Sequence, residues 1–168
     1  MATGRGTQLT KQVGEYLVSA ELCRRGYIST TFTGNVPDFD ILAINDKHKT
    51  IPIQVKTINA GAWQFNAAKY IQIEQKKKVQ KVAGKIKKDH PNLIFVFVKV
   101  IGQGRDEFYI MQLRDLQYII FRDYKKYLKD RGGIRPKKPD STHTAVSPHE
   151  IERFRNNWEL IEEEFKKK

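Results

Sequence analysis

The stretch DILAINDKHKTIPIQVK, residues 40–56, reads as two short strands joined by a polar hairpin loop. Asp40 to Ile44 is rich in strand formers, Asn45 to Lys49 is turn chemistry, and Ile51, Ile53 and Val55 then alternate with Pro52, Gln54 and Lys56. Such alternation suits a half-buried antiparallel strand, because successive side chains point to opposite faces. Pro52 has no amide to donate and suggests an edge or a bulge. With the hairpin centred near Lys47, Asp40 stands opposite Gln54. Cross-strand partners share a face, and Lys56, two residues further on, projects from that same face. A carboxylate, a carboxamide and an ammonium are thereby expected side by side. Hard cations such as magnesium take oxygen ligands and keep several waters, so one or two carboxylates plus a carbonyl suffice where a phosphate supplies the rest. A neighbouring lysine can hold or deprotonate an attacking water and offset charge on a transferring phosphoryl group.

Upstream, Val13, Tyr16, Leu17, Ala20 and Cys23 recur at the spacing of one helix face, and Gly26 follows Arg24 and Arg25 as a stop. A helix over about Leu9 to Arg25 is expected, with Cys23 packed in the core. Tyr27 to Phe32 reads as a strand and Thr33-Gly34-Asn35 as a turn. Downstream, Val79, Val82, Ala83 and Ile86 take helical spacing among many lysines, which predicts a strongly basic amphipathic helix over Gln75 to Asp89. The apolar run Leu93 to Ile101, the turn Gly102-Gln103-Gly104 and the segment Glu107 to Leu113 predict a β-hairpin at the buried centre of a sheet. Leu116, Ile119, Ile120, Tyr124, Tyr127 and Leu128 define a further helix stopping at Gly132-Gly133, and a basic loop follows over Arg131 to Thr144. Ser147-Pro148-His149-Glu150 is a capping box that opens a terminal helix with the seam Ile151, Phe154, Trp158, Ile161 and Phe165, expected to dock on its own domain.

Strands clustered between helices place the fold in the α/β or α+β class, a central mixed β-sheet flanked by helices with an extra C-terminal helix. No repeat or long linker divides the chain. One domain over residues 1–168 is expected, with a core at about 9–113 and a helical, basic-loop extension at about 114–168.

The 168 residues carry 31 Lys and Arg against 19 Asp and Glu, a formal charge of +12 that favours a polyanionic partner such as nucleic acid. Lys76, Lys77, Lys78, Lys81 and Lys85, together with Arg131, Arg135, Lys137 and Lys138, are the expected phosphate contacts. Trp63, Phe65 and Tyr70 are expected in the core rather than stacked on bases. Apolar runs such as Leu93 to Val98 fall far short of the roughly 20 residues of a membrane-spanning helix. The polar N-terminus lacks the apolar core of a secretory signal, so a cytoplasmic protein with neither a membrane nor an organic cofactor is expected. A single cysteine, Cys23, excludes an intramolecular disulfide and a thiolate zinc cluster, and His48, His90, His143 and His149 show no ligand spacing.

Pro37-Asp38-Phe39-Asp40, followed by Gln54-Val55-Lys56-Thr57, resembles the PD-(D/E)xK signature of restriction-endonuclease-like nucleases. Glu15, inside the first helix, lies where Holliday-junction resolvases and intron-encoded homing endonucleases of that superfamily carry a helix-borne glutamate. The resemblance covers roughly Leu9 to Leu113, in short motifs that are correctly ordered. It implies a restriction-endonuclease-like core and a metal-dependent DNA endonuclease that leaves 5′-phosphate and 3′-hydroxyl ends. Asp40 would ligate Mg2+ or Mn2+, Gln54 would supply a side-chain oxygen in place of the usual acid, and Lys56 would serve the nucleophilic water. Glu15 would complete the site, the Val55 carbonyl would be a further ligand, and Asp38 is the alternative to Asp40 if the register slips by two. Gln54 removes one negative charge, which keeps open a non-catalytic DNA-binding protein on the same scaffold; an RNA-binding or RNA-processing protein is the other reading. Cutting both strands of a duplex calls for two sites, so a homodimer or higher oligomer is expected.

Overall fold

In the computed structural model, which describes residues 4–32 and 38–167, the chain opens with α1 (Gly4–Arg24) and a meander of β1 (Ile28–Thr31), β2 (Ile41–Ile44) and β3 (Thr50–Ile58). Ile41 pairs with Ile53 and Ile44 with Thr50, so the hairpin is centred on Lys47 as its sequence predicts. The Asp40 amide extends that ladder by donating to the Ile53 carbonyl at 2.8 Å. The turn expected at residues 33–35 and Pro37 of the signature lie outside the described residues.

The chain continues through β4 (Trp63–Asn66), β5 (Ile71–Lys76), β6 (Val79–Lys85), β7 (Ile94–Lys99), β8 (Glu107–Gln112), α2 (Leu113–Lys129), β9 (His143–Val146) and α3 (Glu159–Lys166). The main sheet has the order β1-β2-β3-β7-β8, with β3 and β7 parallel and every other neighbour antiparallel. It is a mixed sheet flanked by helices, as expected. Its alternation sorts side chains onto two cores. Ile53, Val55, Ile94, Val96 and Val98 face α1 and α3, whereas Phe95, Phe97, Tyr109 and Met111 face α2 and β4. Burial on both faces explains why β7 is apolar without interruption. Of the expected central hairpin, β7 is interior, but β8 forms an edge of the sheet. Trp63 and Phe65 lie in the α2-side core, with Tyr70 packed against it, as expected.

Three expectations are corrected. The segment 75–89 is not a helix: β5 and β6 form an antiparallel ribbon that turns at Lys77-Lys78, where Lys77 takes φ 55°. Period two wins over period 3.6 because Ile71, Ile73 and Val82 reach the core under α2 together, while Val79 and Ala83, two residues of the apparent helical stripe, are exposed. The first helix is out of phase with its apparent stripe. It buries Gly14, Val18 and Leu22, and it leaves Val13, Tyr16 and Cys23 exposed. Gly14 selects this phase, because an added Cβ there would stand 1.9 Å from Thr57 Oγ1 on β3, so only glycine lets the helix lie this close. The terminal helix is broken into a 3₁₀ turn (Pro148–Phe154) and α3, with Asn156 at φ 52° between them. Its seam is divided accordingly: Ile151 enters the α2-side core, and Trp158, Ile161 and Phe165 enter the α1-side core.

Gly14→Ala is expected to force α1 away from β3 and to destabilise the protein by about 1–3 kcal/mol, the usual cost of overpacking. Urea denaturation of the two proteins measures it, and an unchanged midpoint would contradict the close contact.

Candidate functional site

The site grows from the hairpin register. Asp40, entering β2, turns its carboxylate over β3, where Oδ2 accepts the Val55 amide N–H at 2.8 Å and a bond from Gln54 Nε2. Oδ1 lies 3.1 Å from Lys11 Nζ, and the same ammonium lies 3.4 Å from Glu15 Oε1. The Asp40 side chain is 9% exposed and that of Glu15 13%, so both carboxylates are largely withdrawn from water and share one cation. The Gly14–Thr57 approach brings α1 this close. Thr57 Oγ1 itself is buried and has no hydrogen-bond partner among the described residues.

Lys56 lies two residues beyond Gln54, and its backbone carbonyl accepts the Trp63 indole N–H at 2.9 Å. Burial pulls the Lys56 ammonium below its ordinary 10.5; Asp40 opposes the shift, and Lys11 and Lys69 add to it. Burial raises Glu15 above its usual carboxylate range, Asp40 raises it further, and Lys11 partly offsets both. Burial works to lower Lys11, yet hydrogen bonds and charge from Asp40 and Glu15 outweigh it and hold the ammonium protonated to higher pH. Lys56 is thus a lysine drawn downward by burial beside one carboxylate, Asp40.

Glu15, Asp40, Gln54 and Lys56 are thus brought together. Asp38 is not among them: it is exposed, at φ 71°, and it lines a separate cavity with His90 and Glu164. Sequence reasoning missed Lys11, although its position four residues before Glu15 on a helix is a readable signal. It also missed Gln64, which lines a cavity of about 600 Å³ with Lys11, Val55, Lys56 and Thr57. Among the described residues no three His, Cys, Asp or Glu side chains cluster as a metal site. A cation held here would rely on the Asp40 and Glu15 carboxylates with oxygens of Gln54 and Val55. That set suits a hard divalent ion which retains waters, and the Lys11 ammonium already marks a point of negative potential between the two carboxylates.

The two basic runs meet in one surface. Gln80 N–H on β6 donates to the Gly133 carbonyl at 2.8 Å, Val79 bridges Ile134, and Gln80 Nε2 donates to the Ser141 carbonyl at 3.2 Å. Lys76, Lys77, Lys78, Lys81 and Lys85 are exposed on the ribbon, and Arg131, Lys137 and Lys138 on the loop, with Arg135 half-buried. The Arg131 and Arg135 guanidiniums lie 4.2 and 5.0 Å from the Tyr127 ring centre. They line a groove of about 560 Å³ that also includes Lys137, Lys138 and His143. His143 Nε2 lies 2.6 Å from Gln64 Oε1, so a residue of this groove contacts a residue that lines the cavity at Lys56.

The fold is a mixed five-stranded α/β sheet whose first helix brings Lys11 and Glu15 to Asp40 at the start of β2. The solved structure of a bacterial homing endonuclease, I-Ssp6803I, shares this fold with a TM-score of 0.52 over 95% of each chain, at 10% sequence identity. No sequence family and no curated protein matches the chain.

The Lys56 shift has a sign. Its folded value is depressed, so between that value and 10.5 the unfolded chain binds more protons and stability rises with pH; below it the buried ammonium weakens the fold. Lys56→Met is therefore expected to melt higher than the natural protein at neutral pH and to lose the alkaline gain. Thermal unfolding from pH 6 to 10 tests this, and a lower melting point across the range would contradict it.

Proposed function

We propose that the protein is a metal-dependent DNA endonuclease that hydrolyses phosphodiester bonds at the Asp40, Gln54 and Lys56 face, with Gln in place of the second acid. The observation that carries the reading is the gathering of Glu15, Gln54 and Lys56 around Asp40, beside a cavity that Lys11, Val55 and Lys56 line. The shared fold with a homing endonuclease supports it. Mg2+ or Mn2+, bound by Asp40 and Glu15 with the Gln54 and Val55 oxygens, would polarise the phosphoryl group and offset its charge.

The chain's own residues do the rest. Lys56, lowered by burial, holds the attacking water and takes its proton when neutral. Asp40 keeps its orientation through the Val55 N–H, which ties the carboxylate to the strand that carries Lys56. Lys11 pairs with both carboxylates and offsets their charge. Lys76, Lys77, Lys78, Lys81, Lys85, Arg131, Arg135, Lys137 and Lys138 supply a phosphate-binding surface whose affinity falls with salt.

Nicking of supercoiled plasmid with magnesium or manganese is the direct test. Asp40→Ala and Lys56→Ala are each expected to lower the rate by about 10²-fold or more, the range for loss of an acid–base or charge-stabilising group. Equal nicking by all three proteins would reject the site; salt-sensitive binding without metal-dependent nicking by the natural protein would favour a non-catalytic scaffold.

Cleavage of both strands requires two such sites, and we propose a homodimer. Leu9, Val13 and Tyr16 are 52%, 42% and 55% exposed on the side of α1 turned away from the sheet, and a helix apolar on two sides is suited to burial on both. Light scattering is expected to give a dimer that Val13→Glu with Tyr16→Glu converts to monomer. A monomer for the natural protein, with and without DNA, would rule the dimer out.

A further inference from the structure

We propose that the β5–β6 ribbon is a duplex-reading arm: its outward face enters the major groove of double-stranded DNA next to the cleaved bond, with Lys76, Lys77 and Lys78 on phosphates and Gln72 and Glu74 on base edges. The inference rests on the reading of the Asp40, Gln54 and Lys56 face as a DNA-cleaving site, and it assigns the surface that chooses where cleavage falls.

The ribbon is firmly based. Gln117 Nε2 on α2 donates to the Tyr70 carbonyl at 2.7 Å and to the Ile86 carbonyl at 2.5 Å, just before and just after the two strands. Ile71, Ile73 and Val82 pack into the core beneath. Lys88 Nζ donates to the Lys69 carbonyl at 2.6 Å, and Gln80 on β6 holds Ser141, two residues before His143, whose ring contacts Gln64 in the wall of the cavity at Lys56. The arm is therefore tied to the rim of the site.

Its polar residues are sorted by face. Gln75 donates to Asp140 and Gln80 to the Ser141 carbonyl, so these amides are spent on holding the basic loop. On the other face Gln72, Glu74, Lys76 and Lys81 are exposed, and Glu74 stands directly across from Lys81. Among the described residues no hydrogen bond or ion pair occupies the Gln72 or Glu74 side chain. A purely electrostatic arm would need lysines alone. An outward amide and carboxylate add the groups that discriminate bases, since Gln pairs with the adenine edge and Glu accepts from the cytosine amine. The B-form major groove, about 12 Å wide, admits a two-stranded antiparallel ribbon, whereas the A-form groove of RNA is too narrow for side chains to read. The register irregularity at Gln72/Ile73 adds the local twist that a ribbon following a groove requires.

The test is selection from a pool of DNA duplexes with a randomised centre, using the full chain in the Lys56→Met background with magnesium present, so that bound DNA survives. The parent is expected to enrich a defined sequence. Gln72→Ala and Glu74→Ala should each bind that sequence about tenfold more weakly, the cost of one lost base contact, and should keep the parent's affinity for unrelated duplexes. Lys76→Ala, Lys77→Ala and Lys78→Ala combined should weaken binding to every sequence and make the salt dependence shallower by about 0.9 per lost phosphate contact. Circular dichroism establishes that each variant is folded.

The arm is overturned if the parent enriches nothing, if the Gln72 and Glu74 variants select the same sequences with the same affinity, or if duplex RNA competes equally. Plasmid nicking by the natural protein and by the arm variants, each with Lys56 intact, separates the two readings. Metal-dependent nicking together with arm-indifferent binding rejects the arm and keeps the nuclease; arm-dependent selection without nicking rejects cleavage and keeps the arm.

Discussion

The contact of Gly14 with Thr57 is the constraint on which the site depends. A helix normally rests on a sheet through side chains that hold its axis about 10 Å away, because packed layers are separated by interdigitated residues. At Gly14 no side chain intervenes, so the α1 backbone comes within reach of β3. The helix then buries Val18 and Leu22 along the same line and lowers Lys11 and Glu15 onto Asp40. A larger residue at position 14 would lift the helix and pull Lys11 and Glu15 away from Asp40.

Asp40 ties the local electrostatics to the backbone. Its carboxylate accepts the Val55 N–H and pairs with Lys11, so one buried anion is compensated by a strand amide and by a cation from another element. An unpaired carboxylate at that depth would be protonated rather than charged. Two carboxylates share one ammonium, and beside Asp40 stands Lys56, a lysine that burial has made less basic. The basic loop meets the wall of the cavity at Lys56 where His143 contacts Gln64.

The wrong expectations share a cause. The lysine-rich segment fits helical spacing at Val79, Val82, Ala83 and Ile86, but only Val82 and Ile86 are even half-buried, since burial is decided by what lies beneath. Beneath it lie α2 and Gln117, which hold the chain at Tyr70 and Ile86 and make a ribbon of what lies between. The terminal seam is regular in spacing, yet Ile151 and Trp158 serve cores on opposite faces of the sheet, and a continuous helix cannot reach both. On α1 the visible stripe is the exposed one, because glycine, which carries no hydrophobic signal, marks the buried line.

Sequence alone determined the hairpin and which faces its strands turn inward, since the alternation of Ile51, Ile53 and Val55 and the polar loop at Asn45 to Lys49 fix the pairing to within a slip of two residues, and the pairing centred on Lys47 is the one formed. That pairing put Asp40 opposite Gln54, with Lys56 on the same face, and it needed no contact more distant than the turn. Tertiary structure decided everything that required a second element: the entry of Glu15 and Lys11 through a glycine contact, the exclusion of Asp38, the parallel pairing of β3 with β7, and the joining of two basic runs through Gln80 and Gly133. The physical reason is range. Periodicity records which face of a segment is buried against its neighbours in the chain, and it carries no record of how closely a distant segment approaches.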